Sequence, residues 1–353
     1  MSLVTKLARP DILALQPYRH AAWDPALERL HANENPWRFP GDNSRAGLNR
    51  YPEPHPYALE ERLARLYGVS PSWLLAGRGS DEGIDLLLRS FCAAGRDAVL
   101  ICPPTFGMYA VAARVQGADV VEVPLVRATG YALDEAAIAA ALVPAVKLVF
   151  FCTPNNPTGN TLDNAVIERI ARRVAERALV IVDEAYAEFA AGPGWIARLA
   201  ELPNLVVLRT LSKAYALAGA RCGVVIAAPE VIELLRRVIP PYAIPAPTSE
   251  AVQLALEEPR LVQAHARIAR LKAERTRLAT QLAGLSVIAR VLPSEANFLL
   301  VECREPAAVM TAARRAGLLL RDFSGGALTP RCIRISIGTP EQSDRLLQSL
   351  AAP

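Results

Sequence analysis

The stretch Leu-Val-Ile-Val-Asp-Glu-Ala-Tyr, residues 179–186, decides how the chain is expected to fold. Four consecutive apolar residues are followed at once by an acidic one, Asp183. A continuous apolar run is typical of a strand that is covered on both faces. Open α/β sheets bind ligands at the carboxyl ends of such strands, so Asp183 is either a ligand-binding carboxylate or the N-cap of a following helix.

Similar apolar runs recur on both sides of this stretch. They are separated by segments whose apolar residues have helical spacing, as in residues 84–91 and 167–174. Alternating strands and helices predict an α/β fold with a mostly parallel sheet between helices. The other predicted strands of this sheet cover residues 98–102, 120–125, 147–153, 205–210 and 224–227.

The pattern changes after a proline-rich segment at residues 240–247. We predict an N-terminal arm over residues 1–30 that packs on the small domain or on a partner subunit. A large cofactor-binding domain would cover residues 31–245, and a smaller α+β domain would cover residues 246–353. Within the smaller domain we expect a helix over about 261–282, strands over 296–302, 318–321 and 332–337, and helices near 306–316 and 341–350.

Composition excludes several classes of protein. The chain has 353 residues, of which 52% are hydrophobic and 21% charged, which favours two well-buried domains over disorder. The net charge of +4 includes no basic run of the kind that binds nucleic acid. No signal peptide or membrane-spanning run is expected, so we predict a soluble cytoplasmic protein. The six cysteines form no CxxC pair and the four histidines no HExxH motif, so we expect buried thiols and no metal site.

Lys213 is the residue that points most directly to chemistry. The chain has only four lysines and otherwise meets its need for positive charge with arginine. Lys213 nevertheless lies in a largely apolar stretch of small residues, 210–219. A desolvated lysine can lose its proton and form an imine, which an arginine cannot do. This setting suggests a Schiff-base lysine with pyridoxal phosphate as its partner, and the alternative is a lysine that reaches the surface from a half-buried turn.

Three further segments could surround such a cofactor. The loop at residues 154–159 follows a predicted strand, and Asn156 could donate to the phenolate oxygen of the cofactor, as could Tyr186. Phe106 could stack on the pyridine ring or be an ordinary core aromatic. The glycine-rich segment 77–83 precedes a helix whose backbone amides could hold a phosphate group.

That glycine-rich segment also leaves a different class of function open. A nucleotide-binding oxidoreductase could be built around it, but Glu82 stands in place of the third glycine of the dinucleotide fingerprint. Asp81 and Glu82 would repel an anion, so they have to point away or be neutralised. Ser212 and Arg221 could supply a hydroxyl group and a cation to a bound phosphate.

Several motifs carry a resemblance to a known family. The sequences Asn-Asn-Pro-Thr-Gly (155–159), Val-Asp-Glu-Ala-Tyr (182–186) and Ser-Lys-Ala (212–214) occur in this order and resemble the fold-type I pyridoxal-phosphate aminotransferases. Within that group the chain is similar to the histidinol-phosphate aminotransferase family. The motifs that carry this closer resemblance lie at residues 33–36, 49–52, 79–83, 103–109, 209–213 and 334–339.

The resemblance implies a role for each matching residue. Lys213 would form the imine and shuttle the proton, Asp183 would pair with the pyridine nitrogen, and Tyr186 would contact the phenolate oxygen. Phe106 stands where this family more often has tyrosine. The remaining cofactor contacts would come from Ser80, Asp81, Glu82, Asn156, Thr210, Ser212, Arg221 and, from the other subunit of a homodimer, Tyr51. Substrates would be bound by Tyr18, Asn33, Arg321 and Arg334.

The implied reaction is a ping-pong transamination between L-glutamate and imidazole acetol phosphate that yields 2-oxoglutarate and L-histidinol phosphate. Two related activities are alternatives: a pyridoxal-phosphate-dependent threonine-phosphate decarboxylase of cobalamin synthesis, and an aminotransferase of aromatic or broad specificity. A pyridoxal-binding transcription regulator is disfavoured because the chain leaves no room for a separate DNA-binding module.

Overall fold

The large sheet of the protein has seven strands. The computed structural model describes residues 2–20, 22–24 and 26–351. The strands are β1 (Leu74–Gly77), β2 (Ala98–Ile101), β3 (Asp119–Glu122), β4 (Val146–Cys152), β5 (Leu179–Asp183), β6 (Leu205–Thr210) and β7 (Gly223–Ala227). They are arranged in the order β1-β7-β6-β5-β4-β2-β3. β7 runs antiparallel to both of its neighbours, and the strands from β6 to β3 pair in parallel. The predicted α/β fold with a mostly parallel sheet is confirmed.

Side chains of β5 alternate between two separate apolar clusters. Val180 and Val182 belong to the cluster on one face of the sheet, and Leu179 and Ile181 belong to the cluster on the other face. Successive residues of a strand point to opposite faces, so both faces of this strand are covered. This is why the sequence of β5 is continuously apolar instead of alternating.

Helices cover this sheet on both faces. In chain order they are α1 (Leu3–Leu7), α2 (Pro10–Leu13), α3 (Tyr57–Tyr67), α4 (Ser80–Phe91), α5 (Met108–Gln116), α6 (Glu135–Ala141), α7 (Asn164–Arg173), α8 (Pro229–Val238) and α9 (Ala246–Ala255). β1 was not predicted, because its four residues are too few to stand out between the helices on either side.

The N-terminal helices lie on the large domain. Val4 and Leu7 of α1 are buried in the same apolar cluster as residues of α4 and α8. Arg9 donates from its guanidinium to the carbonyl of Arg89 at 2.9 Å, and Arg237 donates to the carbonyl of Leu13 at 3.1 Å. These contacts join the start of the chain to the ends of α4 and α8.

The second domain is built on a four-stranded antiparallel sheet in the order β10-β11-β9-β8. Its elements are α10 (Glu258–Ala283), β8 (Ile288–Val291), β9 (Phe298–Cys303), α11 (Pro306–Arg315), β10 (Arg321–Asp322), β11 (Cys332–Ser336) and α12 (Pro340–Ala351). The predicted strand at 318–321 is short because it lies at the edge of the sheet and pairs only through its last residue and Asp322. β8 was not predicted.

α10 joins the two domains. Ala264 and Ile268 are buried in a cluster of the large domain, whereas Leu278 and Leu282 are buried in the cluster of the small domain. The predicted domain boundaries at residues 30 and 245 stay predictions. All six cysteines are buried as free thiols. In the described part of the chain, we find no helix that combines the length and apolarity needed to cross a bilayer.

Candidate active site

The carboxyl ends of β4, β5 and β6 open into one cavity of about 690 Å³. Cys152, Asp183 and Thr210, the last residues of these three strands, all line it. Residues of the small domain form part of its wall. Most of the predicted site residues line this cavity, namely Ser80, Asp81, Phe106, Asn156, Asp183, Tyr186, Thr210, Ser212, Lys213, Arg221, Arg321 and Arg334.

Lys213 lies in the loop that connects β6 to β7. The loop is held at its start by Thr210, whose hydroxyl oxygen accepts a hydrogen bond from the backbone N–H of Ser212 at 3.2 Å. Burial lowers the pKa of the Lys213 amine, and the positive charges of Arg334 and Arg221 lower it further. A larger fraction of the amine is therefore neutral near physiological pH than in a solvated lysine, which is what a nucleophile or a base requires.

Asp183 is held at both of its carboxylate oxygens. Its Oδ2 accepts a hydrogen bond from the hydroxyl of Tyr109 at 2.7 Å, and its Oδ1 accepts one from the backbone N–H of Ala185 at 3.1 Å. Only 2% of Asp183 is exposed, and this burial raises its pKa to about 6 although both hydrogen bonds act in the opposite direction. A partly protonated carboxyl of this kind can share a proton with a nitrogen base such as pyridine.

Tyr109 was not predicted as a site residue. It follows Phe106 by three positions: Phe106 lies just before α5, Tyr109 lies in its first turn, and their ring centroids are 5.6 Å apart. Phe106 lines the cavity. The spacing of these two aromatic residues across the start of a helix is the signal that could have identified Tyr109.

Asn156 and Tyr186 approach each other from two different strand ends. The amide of Asn156 donates to the Tyr186 hydroxyl at 3.3 Å. Burial raises the pKa of Tyr186, which keeps the phenol protonated and available as a donor. The ring of Tyr186 packs edge-on against Phe298 of the small domain, with 5.2 Å between the centroids. Both groups can donate to an oxygen of a ligand bound beside Asp183.

The backbone N–H groups at the N-terminus of α4 are not capped by the side chain of the N-cap residue. Its N-cap is Gly79, which has a φ of 82° and provides no side-chain cap. β7 comes very close to this turn at Gly223, where a Cβ atom would lie 2.5 Å from the backbone nitrogen of Ser80. Backbone N–H groups at a helix N-terminus bind anions, because the helix dipole adds to their hydrogen bonds.

Arg221 lies beside this helix end. Its guanidinium donates to the hydroxyl of Ser212 at 3.3 Å and to the carboxylate of Asp81 at 3.2 Å. Glu82 points away from the cavity and is paired with Arg78, whose Nε donates to it at 2.9 Å. The two acidic residues of the turn are thus neutralised, and Glu82 is not among the described residues that line the cavity. A hydroxyl, a guanidinium and free amides together fit a phosphate group.

Two arginines of the small domain face the same cavity. Arg321 of β10 and Arg334 of β11 are directly paired in the sheet, so their side chains are neighbours on one face. Phe323, which was not predicted, lies between them, with its ring centroid 5.8 Å from the Arg321 guanidinium and 5.4 Å from that of Arg334. Arg334 also lies 5.2 Å from the ring of Phe298. This pair of cations can bind a phosphate or carboxylate in a bidentate manner.

Besides Glu82, three predicted residues lie away from this cavity in the described chain. Tyr51 stacks on Tyr242 with 4.8 Å between the ring centroids, and it lines a second pocket together with Asn33. Tyr18 lines a third pocket near His55. Tyr51 is 51% exposed and Tyr18 is 71% exposed. Their predicted roles as cofactor and substrate ligands stay predictions.

Comparisons with known proteins agree with this geometry. The family model described as aminotransferase class I and II matches residues 25–350. A histidinol-phosphate aminotransferase of Stenotrophomonas maltophilia (strain R551-3) is 48% identical over 99% of this chain and 97% of the relative. The solved structure of the histidinol-phosphate aminotransferase from Clostridium acetobutylicum covers 86% of this chain and 90% of its own, with a TM-score of 0.77 at 21% identity. That of Sinorhizobium meliloti, in complex with pyridoxal-5'-phosphate, covers 86% and 82%, with a TM-score of 0.71 at 26% identity.

Proposed function

The chain belongs to the class I and II aminotransferases, and we propose that it transfers the amino group of L-glutamate to imidazole acetol phosphate, forming 2-oxoglutarate and L-histidinol phosphate. One observation carries this proposal: Arg321 and Arg334 face the same cavity as Lys213 and Asp183. The 48% sequence identity to a histidinol-phosphate aminotransferase supports the same substrate. We also propose that this reaction serves histidine biosynthesis and that the protein works in the cytoplasm.

Enzymes of this class use pyridoxal 5'-phosphate, whose ring withdraws electrons from the substrate α-carbon when it is bound. The residues of the cavity fit this group. The helix end at Ser80, together with Ser212 and Arg221, would hold its phosphate. Asp183 would face its ring nitrogen, and Phe106 would lie against its ring. Asn156 and Tyr186 would donate to its phenolate oxygen.

Lys213 is the base of the proposed reaction. A neutral amine at this position could take the proton of the substrate α-carbon and deliver it to C4′ of the cofactor. The lowered pKa of Lys213 makes the neutral amine available for this step. The nearby positive charges of Arg221 and Arg334 disfavour the protonated amine, so the proton is easily released again.

The two arginines of the small domain would select the substrates. Each half of the reaction brings an anionic group: the side-chain carboxylate of glutamate in one and a phosphate monoester in the other. A planar guanidinium forms two parallel hydrogen bonds to either group, so one site can serve both. The aromatic faces of Phe298 and Phe323 hold the guanidinium of Arg334 in place.

We also propose that the active unit is a homodimer, with Tyr51 of one subunit reaching the phosphate site of the other. The segment that contains Tyr51 exposes an unusual number of large apolar side chains, which is typical of a surface that another chain covers. These side chains are Tyr18, Trp23, Leu27, Leu30, Trp37, Phe39, Leu48 and Tyr51.

A direct assay tests the proposal. The purified protein should carry an imine chromophore that borohydride abolishes. From glutamate it should form more than one equivalent of 2-oxoglutarate per active site only when imidazole acetol phosphate is added. Phosphothreonine and phenylalanine serve as competing substrates. Release of carbon dioxide from phosphothreonine without any keto acid would instead establish a decarboxylase. Equal rates with phenylalanine and histidinol phosphate as amino donors would establish a broad-specificity aminotransferase.

A further inference from the structure

We propose that Tyr109 is a positioning residue of this active site, whose hydroxyl orients Asp183 and keeps its carboxylate ionised opposite the ring nitrogen of the cofactor. This inference rests on the proposed function for the identity of the cofactor. The hydrogen bond itself is a property of the protein alone, since it joins two side chains of the same chain at 2.7 Å.

The geometry leaves Tyr109 little freedom. Its side chain is fully buried, at 0% exposure, and its ring stacks on Phe150 with 4.8 Å between the centroids and 16° between the planes. The edge-on contact with Phe106 fixes the ring from another side. A hydroxyl carried by so constrained a ring is a fixed donor, and together with the backbone N–H of Ala185 it sets the plane of the Asp183 carboxylate.

The chemistry of the pair gives the direction of its effect. Burial and the charge of Asp183 raise the pKa of Tyr109 well above its ordinary value, so its phenol stays protonated and donates. Burial raises the pKa of Asp183, and the hydrogen bond from Tyr109 is the largest influence that opposes this rise. A hydrogen bond to the charged form of a carboxyl stabilises that form. Without the hydroxyl, Asp183 would hold its proton more tightly and would compete with the ring nitrogen for it.

Other groups around Asp183 do not replace this donor. Asp81 and Glu184 are acidic and raise its pKa further. The titratable groups that face Asp183 from all neighbouring elements are Asp81, Tyr109, Cys152, Glu184, Tyr186 and Lys213. In the described structure, the hydrogen bonds to the Asp183 carboxylate come from Tyr109 and Ala185.

The test uses the variant Tyr109→Phe, which keeps the stacked ring and removes only the hydroxyl. Tyr67→Phe is the matched control, because the hydroxyl of Tyr67 is also buried but has no hydrogen-bond partner among the described residues. The protonation of Asp183 in cofactor-free protein is followed by the infrared band of its carboxylic acid, which Asp183→Asn identifies. We expect the titration midpoint to rise by roughly one pH unit in Tyr109→Phe and to stay unchanged in Tyr67→Phe.

Two more measurements complete the experiment. In the protein loaded with ¹⁵N-labelled cofactor, the ring nitrogen should lose proton character in Tyr109→Phe and keep it in Tyr67→Phe. Fluorotyrosine placed at position 109 has a more acidic hydroxyl and should lower the midpoint of Asp183, a result that is available even if Tyr109→Phe does not fold. An unchanged midpoint in Tyr109→Phe, or the same rise in Tyr67→Phe, would overturn the proposal. The titration of cofactor-free protein does not depend on the substrate, so it separates this inference from the proposed function.

Discussion

Arg334 of β11 donates a hydrogen bond to the side-chain oxygen of Asn156, which lies in the loop that follows β4. The small domain is thereby tied to the large domain at the wall of the active-site cavity. Asn156 in turn donates to Tyr186 at 3.3 Å, so the three side chains form a chain of hydrogen bonds. A substrate anion that binds Arg334 has to share its guanidinium with Asn156.

Replacing Arg334 should therefore weaken both half-reactions. In Arg334→Gln we expect kcat/KM to fall by roughly 100-fold for glutamate and for the phosphate ester, because charge-assisted bidentate contacts are lost. Steady-state kinetics with each substrate measure this. Arg290→Gln, at an exposed position of β8, is the control and should behave as the unaltered protein. A loss confined to one of the two substrates would contradict a shared anion site.

Phe323 should affect substrate affinity more than turnover. Phe323→Leu keeps an apolar side chain but removes the aromatic face that lies against Arg321 and Arg334. Cation–π contacts of this kind contribute about 0.5–1 kcal/mol each, so losing both should raise KM for the phosphate ester about fivefold to thirtyfold with kcat nearly constant. Leu319→Ala, at an 83% exposed position nearby, is the control. A fall in kcat with KM unchanged would assign Phe323 a different role.

Lys213→Ala should abolish turnover and leave cofactor binding largely intact. The variant lacks both the imine-forming amine and the base, so we expect the rate to fall by at least about 1,000-fold. Borohydride should no longer attach the cofactor to the protein, although absorbance still reports bound cofactor. Lys6→Ala, which removes a surface lysine paired with Glu176, tests for a general effect of losing a lysine. Normal activity of Lys213→Ala would eliminate the proposed mechanism.

Asp183 should make the stability of the cofactor-free protein depend on pH. Its pKa rises from an ordinary value of 3.8 to about 6 on folding, so the folded state binds more protons than the unfolded state between these values. The free energy of unfolding therefore falls as pH rises through this window. Above pH 6 the buried carboxylate is ionised, and its full destabilising effect is present. The free energy of unfolding of Asp183→Asn, measured relative to the unaltered protein, should increase by about 2–3 kcal/mol as the pH is raised from 4 to 8. Urea unfolding at several pH values measures the gain, and a difference that does not vary with pH would refute it.

Gly223→Ala should damage the phosphate site through the backbone. The added Cβ would lie 2.5 Å from the nitrogen of Ser80 and 2.6 Å from the carbonyl carbon of Gly79, neither of which is a flexible side chain. We expect a loss of about 1–3 kcal/mol in the free energy of unfolding, and weaker binding of the cofactor. Gly219→Ala, where a Cβ meets no atom within 4 Å, is the matched control. Equal effects of the two substitutions would argue against close packing as the cause.

Much of the fold could be predicted because its strands are buried on both faces. The bounds of β5 and β6 agree with the apolar runs in the sequence. β1 and β8, with four residues each, carry too few apolar positions to be distinguished from neighbouring helix or loop.

The candidate site was predictable where a residue type is unusual for its surroundings. A lysine among small apolar residues and a carboxylate at the end of an apolar strand stand out, and Lys213 and Asp183 do line one cavity. Tyr109 and Phe323 do not stand out, because aromatic residues are as common in protein cores as in active sites. Tyr109 lies in the first turn of α5 and Phe323 directly follows β10, and the type of a single residue reveals neither position. The contacts predicted for Tyr18, Asn33 and Tyr51 stay predictions, and the one predicted for Tyr51 would need the second subunit of the proposed homodimer.

The alternation of β5 side chains between two apolar clusters constrains how this protein can evolve. Inserting or deleting one residue within β5 would exchange the sides to which Val180 and Ile181 point, and would also shift Asp183 relative to Tyr109. Packing and chemistry therefore both depend on the same alternation of side chains along the strand. Lineages can substitute its apolar residues for one another, but a change of length would destroy stability and the proton-binding centre together.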